Sequence, residues 1–212
     1  MKQLIILTSL FFMFTACEKS TGDITANRNS VSSNENTEAV TVNKAFTFDV
    51  NAQGWKIDSG ATLAFVPFGG TPGGCIRGTD NGAATYWYFK APAGLLKLIR
   101  SQNTTGGNFR LDFDLRAQSS TNTNQPDVII VSPTATLVVA IADEPNDAGY
   151  KHFSVPFIHA GGWKFTTLNG TPATTGQIKK ALHTITKLLI RGEFDVAAGN
   201  IALLDNVTFA TL

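Results

Sequence analysis

Hydrophobic and polar residues alternate along most of the chain beyond about residue 45. In the stretch FRLDFDLR, which begins at Phe109, an apolar residue is followed by a charged one four times in succession. Because successive side chains of a β-strand point to opposite faces of the sheet, this pattern predicts a strand with one buried and one wet face. Comparable short runs occur at 46–50, 62–66, 85–89, 128–131, 136–141, 151–157, 188–194 and 201–209. Turn-rich stretches such as FGGTPGG and ADEPNDAG separate the runs, which favours an antiparallel sandwich or barrel.

One segment has a helical period instead. In TTGQIKKALHTIT, Ile178 and Leu182 lie four residues apart, and either Thr174 or Thr175 is available as the N-cap. This spacing predicts one short helix over about residues 176–183.

The N-terminus has the pattern of an export signal. One lysine precedes the apolar run Leu4–Phe14, which is too short for a membrane span of about 20 residues, and Thr15-Ala16-Cys17 follows. Phe14-Thr15-Ala16-Cys17 resembles a bacterial lipobox, which implies a lipoprotein anchored through Cys17; the alternative is an ordinary signal peptide that contains a cysteine. By resemblance to lipoprotein sorting signals, Glu18 favours the outer membrane, at its periplasmic or cell-surface face.

Residues 18–44 differ in composition from both flanks. They are rich in Ser, Thr, Asn and Glu and contain no aromatic residue before Phe46. Such a segment cannot bury enough apolar surface to offset its ordering entropy. We therefore predict a signal segment at 1–17, a disordered tether at 18–44 and one folded domain at 45–212.

Charge and cysteine content exclude several classes of function. The chain has 17 Lys and Arg against 16 Asp and Glu, without a basic run, so nothing indicates nucleic acid as a partner. If Cys17 carries lipid, Cys75 has no partner for an intrachain disulfide, because the sequence contains two cysteines. Cys75, between Gly74 and Ile76, is predicted to be a small buried residue.

The order of short motifs resembles the laminin B domain, also called laminin domain IV. The resemblance covers nearly all of residues 45–212 and implies a jelly-roll antiparallel β-sandwich similar to carbohydrate-binding modules. The motifs are FDVNAQGW from Phe48, GGTPGGCIRGTD from Gly69, YFKAP from Tyr88, RLDFDLR from Arg110, DVIIV from Asp127, GGW from Gly161, LIRGEF from Leu189 and LLDNV from Leu203.

Two departures limit what the resemblance implies. In laminins the domain is inserted in a cysteine-rich module of a long rod, whereas neither flank here carries those cysteines. The family's Phe-Leu-Gly motif is replaced by Leu95-Leu96-Lys97. The fold is therefore expected to carry over, but the architectural role in a rod is not.

The resemblance also suggests a structural calcium ion. In such a jelly roll the last strand runs beside the first, which would bring Asp205 near Asp49 and the loop Gly69–Gly74. Carboxylates and backbone carbonyls suit calcium, which takes oxygen ligands. Asp80 is a third candidate ligand. The alternative is that Asp205 bonds backbone amides or Arg191 and that Asp49 caps a turn.

The sequence offers little for catalysis. His152, His159 and His183 show no metal-ligand spacing, and no nucleophile elbow or phosphate-binding glycine loop occurs. Asp112 and Asp114 share one face of a strand, where they are most simply solvated carboxylates balanced by arginines at 110 and 116. The chain is therefore expected not to be an enzyme.

A binding role has better support. In TYWYF, Tyr86 and Tyr88 alternate with Trp87 and Phe89, so the tyrosines are candidates for a wet, sugar-contacting face. Trp55 and Trp163 are expected in the core. We expect a non-catalytic, lipid-anchored module that binds a glycan or a matrix-like partner. The alternatives are an adhesive protein-interaction module of the cell envelope and, third, a glycan-active enzyme.

Overall fold

The structure, a computed structural model, describes residues 41–82, 86–103, 108–120, 124–195 and 198–212. Within these ranges two antiparallel β-sheets enclose a common hydrophobic core, and two α-helices accompany them. The elements are β1 Thr41–Phe46, β2 Lys56–Ile57, β3 Ala61–Val66, β4 Cys75–Asp80, β5 Tyr88–Lys90, α1 Ala93–Gln102, β6 Phe109–Ala117, β7 Val128–Val131, β8 Thr136–Val139, β9 Lys151–Pro156, β10 Lys164–Phe165, α2 Thr175–His183, β11 Lys187–Arg191 and β12 Ile201–Thr211.

The first sheet is organised around the long last strand, β12. Its order is β3-β4-β12-β6-β9, and β1 also pairs with β12. The first half of β12 pairs with β4 as far as Leu204, opposite Ile76, and the second half pairs with β1 from Val207, opposite Phe46. The last strand therefore changes partner on one of its edges between residues 204 and 207.

The second sheet has the order β10-β8-β7-β11-β5-β2. Phe89, Val128 and Ile190 lie side by side on adjacent strands and are fully buried between the sheets. Tyr88 is next to Phe89 in the sequence, and Ile129 is next to Val128. Their side chains therefore point to the opposite, outer face of the sheet, where both residues are half-buried. The outer face of this sheet thus presents an aromatic residue near solvent.

The core confirms the alternation found in the sequence. Phe109, Leu111, Phe113 and Leu115 of β6 are all buried. Trp55, Trp163 and Cys75 are buried as well, as expected. The fold is a jelly-roll type β-sandwich, in agreement with the predicted fold class.

The first strand begins earlier than the sequence suggested. Residues 41–44, which were assigned to the disordered tether, form part of β1 and pair with the end of β12. The strand ends at Phe46, where the alternation had placed its start. Pairing with an already formed edge of β12 supplies the hydrogen bonds that the composition of this segment does not predict. Residues 1–40, with Cys17 and most of the tether, lie outside the described residues.

Four elements were missed: the two-residue strands β2 and β10, the strand β4 and the helix α1. Strand β4 was not predicted, because Gly74, Gly78 and the arginine between them obscure the alternation of CIRGTD. Helix α1 makes two helices where one was predicted. Its buried residues Leu95, Leu96 and Ile99 have helical spacing, but Pro92 and Gly94 at its start resemble a turn.

Helix α2 was predicted correctly. It spans Thr175–His183, with Thr174 as N-cap. The Thr174 hydroxyl accepts a hydrogen bond from the Gln177 N–H, and the Gln177 side chain accepts one from the Thr174 N–H. This capping box satisfies backbone donors that the first helical turn leaves free.

Candidate functional site

Asp205 lies where β12 changes partner. Its carboxylate is fully buried, and its neighbour Asn206 has a positive φ of 47°. The pairing of β12 with β6 is irregular at this point, since Asp205 faces Asp114 but Thr208 faces Asp112. A β-bulge of this kind bends a strand and re-aims its side chains. The segments that follow β1 and precede β4 lie at the gap between these two strands. Loops that are distant in the sequence therefore reach Asp205.

The carboxylate of Asp205 accepts two backbone hydrogen bonds. Oδ2 accepts from the Thr71 N–H and Oδ1 from the Asn206 N–H, both at 2.7 Å. The Asp205 carboxylate therefore bonds backbone amides, which was one of the alternatives to calcium binding for this residue. Arg191, the other alternative partner, lies in the second sheet and is bound to Asp127.

Asp205 has no cationic partner among the described residues. Burial, the largest cause, raises the pKa of the Asp205 carboxyl above its usual value, and the nearby charges of Asp114 and Asp49 raise it further. Asp114 was not predicted as a neighbour; its position opposite Asp205 follows from the register of β12 with β6. The charges of Asp114 and Asp49 thus both act on the buried Asp205 carboxylate, a distribution that a bound cation would stabilise.

The glycines of the FGGTPGG loop allow oxygen atoms to approach closely. A Cβ atom at Gly70 would collide with Asp205 Oδ2 and the Gly74 carbonyl oxygen. At Gly73 it would lie 2.5 Å from Asp49 Oδ1, and at Gly74 it would collide with the Phe48 carbonyl oxygen. The loop therefore contacts both predicted carboxylates and two carbonyl oxygens only because these positions lack side chains.

These groups are of the type that calcium binds. Asp49, Asp205 and the carbonyl groups of the glycine loop carry hard oxygen atoms, and the buried carboxylate of Asp205 has no protein counter-ion in the described part of the chain. Asp49 also accepts a hydrogen bond from the Thr47 hydroxyl at 2.6 Å. Within the described ranges no group of three His, Cys, Asp or Glu side chains is arranged to hold a metal ion, so such a site would depend on carbonyl oxygens and water.

Asp80 is not part of this arrangement. It ends β4, the strand whose first residue, Cys75, follows the glycine loop, so a full strand length separates it from that loop. Its carboxylate accepts a hydrogen bond from the Gly82 N–H, and its charge acts on the buried Glu193. Asp80 is close to the loop in the sequence, but the extended strand between them places it at the far end of β4.

Tyr88 begins β5 of the second sheet, and Tyr86 lies two residues before it; both are on the wetter side of the alternation, as predicted. Trp87 and Phe89 are fully buried, whereas Tyr86 is 36% exposed and Tyr88 is half-buried. Burial, the largest cause, raises the pKa of the Tyr88 phenol to about 12, so this group stays protonated at neutral pH.

Tyr88 borders a groove on the outer face of the second sheet. The groove has a volume of about 390 Å³. It is lined by Tyr88 together with two residues that carry amide groups, Asn124 and Gln125, and two that carry hydroxyl groups, Thr166 and Thr167. Ile129 and Leu168 supply apolar surface. An aromatic residue beside apolar residues and residues with hydrogen-bonding side chains is the composition expected of a small-ligand site.

The groups considered for catalysis have structural partners. Asp112 was expected to be solvated, but it is buried and accepts a 2.8 Å ion-pair hydrogen bond from Arg110 Nε. Asp114 pairs with the exposed His152 at 2.7 Å and accepts a hydrogen bond from the Asn206 side chain. His159 is held by the Ala173 carbonyl, and His183 is exposed at the end of α2.

Comparison with known proteins identifies the fold and the family. The L4b domain of human laminin alpha-2 is 15% identical; the match covers 76% of this chain and 98% of that domain, with a TM-score of 0.48. The CBM22-1 xylan-binding domain of Xyn10C from Paenibacillus barcinonensis is 10% identical over 82% of this chain and 96% of its own, with a TM-score of 0.51. The carbohydrate-binding module CtCBM11 is 16% identical over 83% and 98%, with a TM-score of 0.50.

No curated protein matches the sequence. In the part of the chain that the structure describes, no helix has both the length and the hydrophobicity needed to cross a bilayer. The family model for laminin B (domain IV) matches residues 88–211, which is more than half of the chain. The chain therefore belongs to the laminin B (domain IV) family.

Proposed function

We propose that this chain is a non-catalytic glycan-binding module that is exported and held at the outer membrane through a lipid on Cys17. The observation that carries the glycan assignment is the groove beside Tyr88. It combines an aromatic ring, amide groups and hydroxyl groups on the outer face of a rigid sheet. Sugars present apolar C–H faces and hydroxyl edges, which these two kinds of group complement.

The fold supports this assignment without establishing it. One of the similar structures is described as a xylan-binding domain, and its fold matches this one with a TM-score of 0.51. A neutral, β-linked polysaccharide is therefore the first class of ligand to test. The carboxylates considered for catalysis are engaged in ion pairs or hydrogen bonds, which supports a binding role rather than hydrolysis.

We also propose a structural calcium ion at Asp205 and Asp49. The ion would neutralise the buried Asp205 carboxylate and bind carbonyl oxygens of the Gly69–Gly74 loop. It would join the loops that follow β1 and precede β4 to the last strand, and so substitute for disulfide bonds in the domain. Calcium at this position would lie away from the proposed sugar-binding groove beside Tyr88, and its effect would be on the stability of the fold.

The test is binding of the purified full-length protein to a glycan array, with and without calcium. Tyr88→Ala should abolish binding to the preferred neutral glycan, because stacking on the ring is lost. Tyr88→Phe should retain most of it, because the ring remains. Tyr86→Ala should weaken binding if the exposed neighbour extends the platform.

Phe68→Ala provides the matched control. Phe68 is 95% exposed and precedes the glycine loop, far along the chain from the Tyr88 strand. Its replacement should leave glycan binding unchanged. A blank array in both conditions, or binding that Tyr88→Ala does not alter, would contradict the proposal and favour an adhesive protein-interaction role in the envelope.

A further inference from the structure

The outer face of the first sheet carries a second groove, which has two arginines on its walls. Its volume is about 360 Å³. Val66, Ile201 and Leu203 provide an apolar lining, and Arg77 and Arg116 stand beside it. This groove lies on the other sheet from Tyr88 and shares no residue with the groove described above.

The register of the sheet fixes the relation between the two arginines. Leu203 of β12 is paired with Arg77 of β4 on one side and with Arg116 of β6 on the other. Directly paired residues point to the same face, so all three side chains project outward together. Two strand spacings separate the Cα atoms of the arginines, which is about 9.5 Å. Leu203 lies midway between the two charges.

These two guanidinium groups differ from the other arginines that the structure describes. Arg191 is paired with Asp127, Arg110 is paired with Asp112, and Arg100 donates to the Ile185 carbonyl. No ion pair or hydrogen bond involves the side chain of Arg77 or Arg116 within the described ranges.

Both guanidinium groups are on exposed residues, so their donors face solvent. Among the described residues that line the groove, one carries a carboxylate, the exposed Asp147, and Gln118 carries an amide. Two positive charges against one negative charge leave the groove with an excess of positive charge, in a chain whose total charge is nearly balanced.

We infer that this groove binds an acidic glycan, one whose sugars carry carboxylates. A guanidinium binds a carboxylate through two parallel N–H···O bonds, and two guanidiniums at fixed separation select a chain with recurring acidic groups. Ile201 and Leu203, on the strand between the arginines, and Val66, on β3 beside Arg77's strand, would contact the C–H faces of the sugar rings. The inference rests on the proposed function only for the choice of a glycan over an acidic peptide; the charge and geometry are independent of the Tyr88 groove.

The experiment measures binding of full-length protein to oligogalacturonate and to oligomannuronate by calorimetry at low and high salt. Fully methyl-esterified oligogalacturonate serves as the uncharged counterpart, and poly-glutamate serves as an acidic peptide. The variants are Arg77→Gln, Arg116→Gln and the double variant. Lys97→Gln on the exposed side of α1 is the matched control for loss of one positive charge.

The unaltered protein should bind at least one of the two uronate oligomers and should not bind the methyl ester. Each single arginine variant should weaken binding about tenfold, as expected for loss of a charge-assisted hydrogen bond, and the double variant should abolish it. Lys97→Gln should have no effect, and higher salt should weaken binding.

Four results would overturn the inference, three of them from the choice of ligand. These are no binding of either uronate, equal binding of the methyl ester, or equal binding of poly-glutamate. Retained binding in the double arginine variant would overturn it as well. Tyr88→Ala keeps the two proposals apart, because it should abolish binding of the neutral glycan while leaving uronate binding unchanged.

Discussion

Asp205 and Thr71, which are 134 residues apart in the sequence, are joined by a 2.7 Å hydrogen bond from the Thr71 N–H to the buried carboxylate. The bond ties the glycine loop to the last strand at the point where that strand changes partner. If calcium binds there, the full-length protein should unfold at a higher temperature with calcium than with a chelator. At 100 times the dissociation constant the gain would be about 2.7 kcal/mol.

Asp205→Asn should remove this response, which calorimetric melting would show. Asn keeps the size of the side chain but lacks the negative charge that calcium requires. Asp80→Asn is the matched control, because Asp80 lies at the far end of β4. Equal melting temperatures with calcium and with chelator, in protein that was first fully demetallated, would show that calcium does not stabilise the fold.

Trp87 is packed against two glycines, Gly78 of β4 and Gly192, which directly follows β11. A Cβ atom at Gly78 would collide with the indole ring, and one at Gly192 would do the same. Gly78→Ala should therefore destabilise the protein by about 1–3 kcal/mol through overpacking. Denaturant unfolding at equilibrium is the measurement.

Gly94→Ala is the control for the glycine effect. Gly94 lies in the first turn of α1, and a Cβ atom there would meet nothing within 4 Å. The substitution should stabilise the protein by about 0.5–1 kcal/mol, because Gly loses more conformational freedom on folding than Ala does. Similar losses of stability at Gly78 and Gly94 would show that close packing on Trp87 is not the cause.

The Arg191–Asp127 ion pair is fully enclosed by protein. Its atoms are 3.2 Å apart, and the side chains are 0% and 2% exposed. Arg191 also lies over the Phe194 ring, 4.4 Å from its centre. Asp127→Asn should cost about 3–5 kcal/mol, because it removes the carboxylate charge that is paired with a buried guanidinium.

Asp143→Asn gives the comparison with an exposed pair. Asp143 pairs with Lys151 at 3.0 Å, and its side chain is 77% exposed. Its substitution should change the free energy of unfolding by about 1 kcal/mol or less. Equal effects of the two substitutions, measured in the same denaturant titration, would contradict the role assigned to burial.

Glu193 should make stability depend on pH. Its Oε2 atom is buried without a hydrogen-bond partner, and burial raises the pKa of its carboxyl above the usual 4.5, with a further rise from the charge of Asp80. Because the folded state holds this proton more tightly than the unfolded state, the contribution of Glu193 to stability is greatest below pH 4.5. It falls as the pH rises from 4.5 through the raised pKa.

Glu193→Gln should remove this part of the pH dependence while it keeps an oxygen acceptor for the Trp87 backbone. As the pH rises from 4.5 through the raised pKa, the unfolding free energy of the unaltered protein should therefore fall relative to that of the variant. Parallel stability curves from pH 4 to 7 would show that Glu193 has the same pKa in both states.

Local patterns in the sequence were sufficient for several parts of the structure. Alternation in FRLDFDLR predicted which residues of β6 are buried, and the Thr174 cap predicted the start of α2. The order of motifs predicted the family. These features depend on neighbours within a few residues, and backbone geometry relates such neighbours directly to one face of a strand or one turn of a helix.

The tertiary structure decided what long-range pairing controls. Residues 41–44 form a strand because the edge of β12 is free to pair with them, and Asp80 leaves the glycine loop because β4 is extended. The junction of Asp205, Asp49 and Asp114, and the paired arginines beside Leu203, require the register of strands that are distant in sequence. The sequence by itself determined the fold class and the inward face of most strands, whereas the sites arose from contacts that no local pattern encodes.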